Sequence, residues 1–249
     1  MILTVDIGNT NISVALFGEN SEPEEVKTYP DNLFHTAEEF SRELIKLAPS
    51  FSGAVLCSVV PALTRVVKEA LDSVCGEENV RVIDCDFNDG LRLSGYDRHK
   101  LGNDRVADMT AVKTLYPLPA VIFDMGTATT VSVIDRDGVF IGGMILPGMG
   151  LSVNALSSGT ALLPVIKPQR PRSLLGQDTV SCINNGVVYS QASSIEGISS
   201  RVEESLGERV STVVTGGSAA IVIPYLRRQV IYDKMLLHKG LRILFGMYK

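Results

Sequence analysis

Met1-Ile2-Leu3-Thr4-Val5-Asp6-Ile7-Gly8-Asn9-Thr10-Asn11-Ile12-Ser13-Val14-Ala15-Leu16 opens the chain. An apolar run reaches Asp6, small and polar residues follow as far as Thr10, and then Ile12, Val14 and Leu16 alternate with Ser13 and Ala15. Such alternation puts apolar side chains on one face of an extended chain, so the stretch predicts strand, tight turn, strand. The same grammar returns at Ala120-Val121-Ile122-Phe123, passes through Asp124-Met125-Gly126-Thr127-Ala128-Thr129 and continues as Thr130-Val131-Ser132-Val133-Ile134. Each copy goes on alike, with a third strand near 25–29 and 139–146, a helical stretch, and an apolar strand over 53–58 and 210–215. The chain therefore reads as one α/β unit used twice. The expected domains are 1–115 and 116–249, each a mixed sheet with flanking helices.

The remaining sequence fits that plan. Helices are expected over 36–47, with Phe40, Leu44 and Leu47 on one face, and over 63–75, with Val66, Val67, Ala70 and Leu71 inward. Asp104 is placed to cap a helix running through Val106, Met109 and Val112 to Leu115, and a longer helix is expected over 179–206. Pro224-Tyr225-Leu226-Arg227-Arg228 reads as a solvated helix end.

Composition excludes several classes. The 249 residues are 45% hydrophobic and 20% charged, which is the range of folded globular chains rather than disordered ones. A net charge of −5 and no basic stripe argue against a nucleic-acid partner. Cys57, Cys75, Cys85 and Cys182 lack C-x-x-C spacing, and the N-terminus lacks signal-peptide features, so reduced thiols and a cytoplasmic setting are expected. Residues 138–166 carry no charge, but six Gly and two Pro interrupt them, and no membrane span is expected. His35, His99 and His238 stand apart without ligand spacing, so surface or satisfied positions are expected rather than metal sites.

There is no P-loop, G-x-G-x-x-G, H-E-x-x-H or G-x-S-x-G. What remains is two strand-Asp-x-Gly hairpins and a later strand ending in Thr215-Gly216-Gly217-Ser218. Small residues at a hairpin let backbone N–H groups approach phosphate oxygens, and an Asp at a strand end can hold a cation. The pair suggests a nucleotide held between two domains.

Four segments carry a resemblance: Asp6 to Asn11, Gly102-Asn103-Asp104-Arg105, Asp124 to Thr130, and Gly142-Gly143-Met144-Ile145-Leu146-Pro147-Gly148. With Thr160-Ala161-Leu162-Leu163-Pro164 and Lys239-Gly240-Leu241-Arg242 they resemble type III pantothenate kinases in order and spacing along essentially the whole chain. The resemblance implies the duplicated fold of the actin-like, acetate and sugar kinase superfamily, a homodimer, and transfer of phosphate from Mg²⁺-ATP to the terminal hydroxyl of pantothenate, the first step of coenzyme A synthesis. It also implies that Asp6, Ile7, Gly8, Asn9, Thr10, Asn11, Ile12 and Ser13, with Thr127, bind ATP. Asp124 becomes the ligand of a monovalent cation, K⁺ or NH₄⁺. Asp104 becomes the catalytic carboxylate, and Tyr96, Gly102, Asn103, Asp104, Arg105 and Thr179 the acceptor site.

Plainer roles compete at each position. Asp6 and Asp124 can be turn acceptors, Asp104 and Thr179 helix N-caps, and Arg105 a member of a surface ion pair. Two other functions also compete: a kinase of the same superfamily acting on another hydroxyl substrate, and a non-catalytic nucleotide-binding regulator of the same fold.

Overall fold

In the computed structural model, residues 1–19, 22–87 and 89–247 are described. The chain divides into two compact units, Met1–Tyr116 with Met235–Lys249, and Pro117–Lys234.

The first unit contains β1 (Ile2–Ile7), β2 (Asn11–Phe17), β3 (Glu25–Pro30), α1 (Ala37–Ile45), β4 (Gly53–Ser58), α2 (Pro61–Cys75), β5 (Val80–Ile83), the short β6 (Arg92–Leu93) and α3 (Asn103–Leu115). Its sheet runs β3-β2-β1-β4-β5, with β1 antiparallel to β2 and parallel to β4. Leu3, Val5 and Ile7 are completely buried on the face covered by Phe40, Leu44, Val67 and Leu71 of α1 and α2. Each such side chain contributes about 2 kcal/mol by leaving water. Thr36 starts α1 through a capping box with Glu39, and Pro61 opens α2 where a missing N–H costs nothing.

The opposite face of β1 carries Thr4 and Asp6. It is covered by α3 and by the last helix, α7 (Leu236–Gly246), which packs along α3 and against β1 and β4. The expectation of a second domain over 116–249 thus differs from the structure in its last segment. Arg105 to Val112 of α3 are buried without a break, a pattern that needs cover on all sides, and α7 supplies it. A Cβ on Gly240 would collide with the Ala107 carbonyl, so glycine sets how closely the two helices cross.

The second unit contains β7 (Ala120–Met125), β8 (Ala128–Ile134), β9 (Val139–Pro147), α4 (Met149–Ser158), α5 (Thr179–Leu206), β10 (Ser211–Thr215), α6 (Ala219–Val222) and β11 (Ile231–Tyr232). These strands run β11-β10-β7-β8-β9. β7 is antiparallel to β8 and parallel to β10, so the order and sense repeat those of the first unit. Val121, Phe123 and Met125 of β7 pack with Val153 of α4, and with Val187 and Val188 of α5. Both hairpins, both third strands and the helix over 179–206 lie where the residue pattern puts them.

Two local expectations are corrected. Gly102, not Asp104, is the N-cap of α3, and Asp104 lies inside its first turn. The 224–228 segment is not a solvated helix end: Ile223–Tyr225 is a single 3₁₀ turn, and Arg228 places Nη2 2.6 Å from Glu203 Oε1 and Nε 2.7 Å from Thr212 Oγ1. That fork, with both side chains less than one-fifth exposed, ties α5 to β10 and holds the Glu203 carboxyl down to about 2.

Candidate active site

Asp6 is the next-to-last residue of β1, in register with Ser13 on β2 and Cys57 on β4. The turn after it closes by Gly8 N–H donating to the Asn11 carbonyl at 2.9 Å. Asn9, Thr10 and Asn11 are exposed at the tip, whereas Ile7 and Ile12 are fully buried. The two isoleucines therefore anchor the turn in the core, and their only polar groups available to a ligand are backbone ones.

Ser13 is held from behind. Its hydroxyl lies 2.8 Å from Nε2 of His238, whose Nδ1 lies 2.7 Å from Thr4 Oγ1. Thr4 Oγ1 donates to the Ala15 carbonyl, so it accepts from Nδ1–H, and Nε2 accepts from Ser13. Burial keeps the ring neutral, with its pKa pushed down to about 4. His238 is thus a satisfied buried histidine.

Cys57 reveals what the topology assembles beside this hairpin. Burial pushes its thiol well above the usual range; the carboxylates of Asp6, Asp104 and Asp108 push the same way, and the thiol is hydrogen-bonded to Asp6. Asp6 from β1 and Asp104 from α3, far apart in sequence, are brought to one place. Asp108 was not singled out from the sequence, yet it lies one helical turn beyond Asp104, and that spacing was the available signal.

Asp104 Oδ1 accepts from Arg105 N–H at 2.8 Å. Its carboxylate lies over Gly102, where a Cβ would collide with Oδ1, so the glycine makes room for it. Arg105 is buried at 6% exposure, which removes the surface ion pair as its role. Asn103 Oδ1 accepts from Arg98 Nη2 at 3.1 Å, and Tyr96 stands exposed on the preceding loop.

In the second unit Asp124 is next to last in β7 as Asp6 is in β1, in register with Thr130 and Thr215. The turn at Gly126-Thr127 is bracketed by backbone: Gly148 N–H donates to the Thr127 carbonyl at 3.2 Å, and Ser218 N–H to the Met125 carbonyl at 3.1 Å. A Cβ on Gly216, whose φ is +90°, would collide with Asp124 Oδ1 and the Met125 backbone, so the position requires glycine. Thr129 donates to Gln191 Oε1, and Gln191 Nε2 to the Pro147 carbonyl, fixing the hairpin to α5. Thr179 is the first residue of α5 but not its N-cap: Asp178 caps the helix through Ser181. Thr179 lines a largely apolar groove of about 810 Å³ with Leu156, Leu163, Cys182 and Val187.

Residues 2–201 match the family model for type III pantothenate kinase. The type III pantothenate kinase of Moorella thermoacetica is 34% identical over 98% of both chains. The chain belongs to the type III pantothenate kinase family. Among solved structures, a Campylobacter jejuni protein assigned to the Baf family aligns with TM-score 0.61 at 21% identity over 98% of both chains. A glucokinase from an Antarctic psychrotroph aligns with TM-score 0.51 at 12% identity over 99% of this chain and 98% of its own. These likenesses and the repeated sheet order establish the actin-like, sugar-kinase fold.

For a pantothenate kinase of this fold, the carboxylates around Cys57 have a plain chemical meaning. Clustered carboxylate oxygens are the donor set that a hard divalent cation takes. The exposed turn at Asn9 and Thr10 adds donors for an anion. Among the described residues no helix is long and apolar enough to cross a membrane.

Proposed function

We propose that the chain phosphorylates the terminal hydroxyl of pantothenate with ATP and so starts coenzyme A synthesis. The observation that carries this reading is the convergence of Asp6 and Asp104 on Cys57. In a loose phosphoryl-transfer transition state the protein chiefly positions the partners and neutralises charge. Asp104 orients the acceptor hydroxyl by accepting its hydrogen bond; as the oxygen bonds to the γ-phosphorus and the bond to ADP breaks, its proton passes to the Asp104 carboxylate. Asp6 faces the metal–phosphate group, the turn through Ser13 cradles phosphate oxygens, and Thr127 adds a second nucleotide contact. Mg²⁺, when bound with ATP, neutralises the charge developing on the phosphate oxygens.

Asn103, Arg105 and Tyr96, on the chain around Gly102, and Thr179 hold the acceptor, with the Arg105 fork suited to its carboxylate or amide. Asp124 holds K⁺ or NH₄⁺. A carboxylate beside triphosphate would be repelled without an intervening cation, and no P-loop lysine supplies the charge. A homodimer covers the apolar surface of α4 and α5, where Val180 is 47% exposed and Leu151 44%. Four free thiols accord with a cytoplasmic setting.

A coupled assay of ATP consumption with pantothenate against a panel of sugars tests the reading. Turnover with pantothenate alone is expected. Turnover with a sugar alone would make the chain another kinase of this fold, and none with any acceptor would favour a nucleotide-binding regulator.

A further inference from the structure

We propose that Cys85, Asp86 and His99 form a binding site for a zinc-class transition-metal ion, separate from the groups assigned to ATP and its magnesium. The sequence gives no hint of it, because the thiol and carboxylate stand on the loop after β5 and the imidazole lies a dozen or so residues further on. The fold brings them together. Cys85 Sγ, an Asp86 carboxylate oxygen and a His99 ring nitrogen all lie within 4.8 Å of one another, the one such group of metal-ligating side chains among the described residues.

The frame around them is fixed by bonds that leave these side chains unused. Arg98, less than one-fifth exposed, donates from Nη2 to the Asp84 carbonyl at 2.9 Å and from Nε to Asp89 Oδ2 at 2.9 Å. Its Nη1 reaches the Leu101 carbonyl at 3.3 Å. This one guanidinium staples the loop bearing Cys85 and Asp86 to the turn bearing His99. Asp84 Oδ1 accepts from Asp86 N–H at 3.0 Å, and Asp97 Oδ1 from His99 N–H at 3.0 Å, so the backbone beneath two of the ligands is also held.

Donor chemistry selects the ion. One thiolate, one imidazole and one carboxylate suit Zn²⁺, Co²⁺ or Cu²⁺, whereas Mg²⁺ takes oxygen ligands. Bonds of about 2.0–2.3 Å in a tetrahedron need ligand atoms roughly 3.3–3.8 Å apart, so side-chain rotation of about 1 Å closes the site. The thiolate and carboxylate together balance a divalent charge. Three protein ligands leave the fourth position to water. Cys85 is half-buried and the other two are exposed, so an ion can enter from solvent.

The test is titration of the reduced full-length protein with Co²⁺, read by absorbance. One Co²⁺ per chain is expected, with a thiolate-to-cobalt charge-transfer band and intense tetrahedral d–d bands. Zn²⁺ should displace it and excess Mg²⁺ should not. Cys85→Ser removes the charge-transfer band, and His99→Gln weakens binding by more than about a hundredfold, beyond the roughly 10–100-fold that loss of an outer partner costs. Cys182→Ser leaves the titration unchanged, and circular dichroism checks that each variant folds. No charge-transfer band in the wild-type protein would overturn the proposal. So would Cys85→Ser or His99→Gln titrating like wild type, or a signal that follows Cys182.

Discussion

The imidazole of His238, from the last helix, accepts the Ser13 hydroxyl of the first hairpin at 2.8 Å. The ring is neutral, its pKa lowered to about 4 by burial from the 6.5 of a free side chain. Below pH 6.5 the unfolded chain takes up a proton that the folded one refuses. Stability is therefore expected to fall as pH drops from 6.5 towards 4, by about 1.4 kcal/mol per unit and of order 3 kcal/mol in all. Urea unfolding at pH 7, 6 and 5 measures it. His238→Gln keeps a polar partner for the hydroxyls and should flatten that slope; an unchanged slope would assign it to other groups.

Asp104→Asn keeps the shape of the side chain and removes its basicity. Turnover should fall by about 10²-fold or more while ATP affinity stays within a few-fold, read by steady-state kinetics and calorimetry. Gly102→Ala should lower turnover as well, because the added methyl displaces the same carboxylate. Near-normal turnover in Asp104→Asn would reduce the residue to a first-turn acidic group at a helix start.

Potassium or ammonium salts should raise turnover strongly over choline at fixed Mg²⁺ and ionic strength. Asp124→Ala should abolish both that response and most activity. Equal rates in choline and potassium would leave Asp124 as a hairpin acceptor.

Sedimentation at micromolar concentration should give twice the chain mass. Val180→Glu puts a charge on the exposed face of α5 and should shift the protein towards monomer. A wild-type monomer with full activity would remove the dimer from the reading.

The sequence made some of this legible for physical reasons. Hairpins and amphipathic helices announce themselves through local periodicity, which is why β1, β2, β7, β8, α1 and α2 could be placed from residue order alone. Asp6 and Asp124 were visible because each ends an apolar run before a small-residue turn. What escaped notice depends on partners distant in the chain. Gly240 against Ala107, His238 against Ser13, Arg228 against Glu203, and Asp108 beside Cys57 are pairings that no window of neighbouring residues contains. Helix caps failed by one or two positions at Asp104 and Thr179, where several capable residues stand in a row.

The return of α7 to the first unit bears on how the protein is made. The chain leaves that unit at Tyr116, builds the second, and comes back at Met235, so the ribosome finishes the first-begun part last. Until then α3 lacks its cover, and Thr4 and Ser13 lack the imidazole that joins them. The middle segment, by contrast, is continuous and has all of its strands in hand before synthesis ends. A message cut short before codon 235 would thus deliver an intact second unit attached to a first unit with its buried helix bare, a form suited to chaperone capture and degradation.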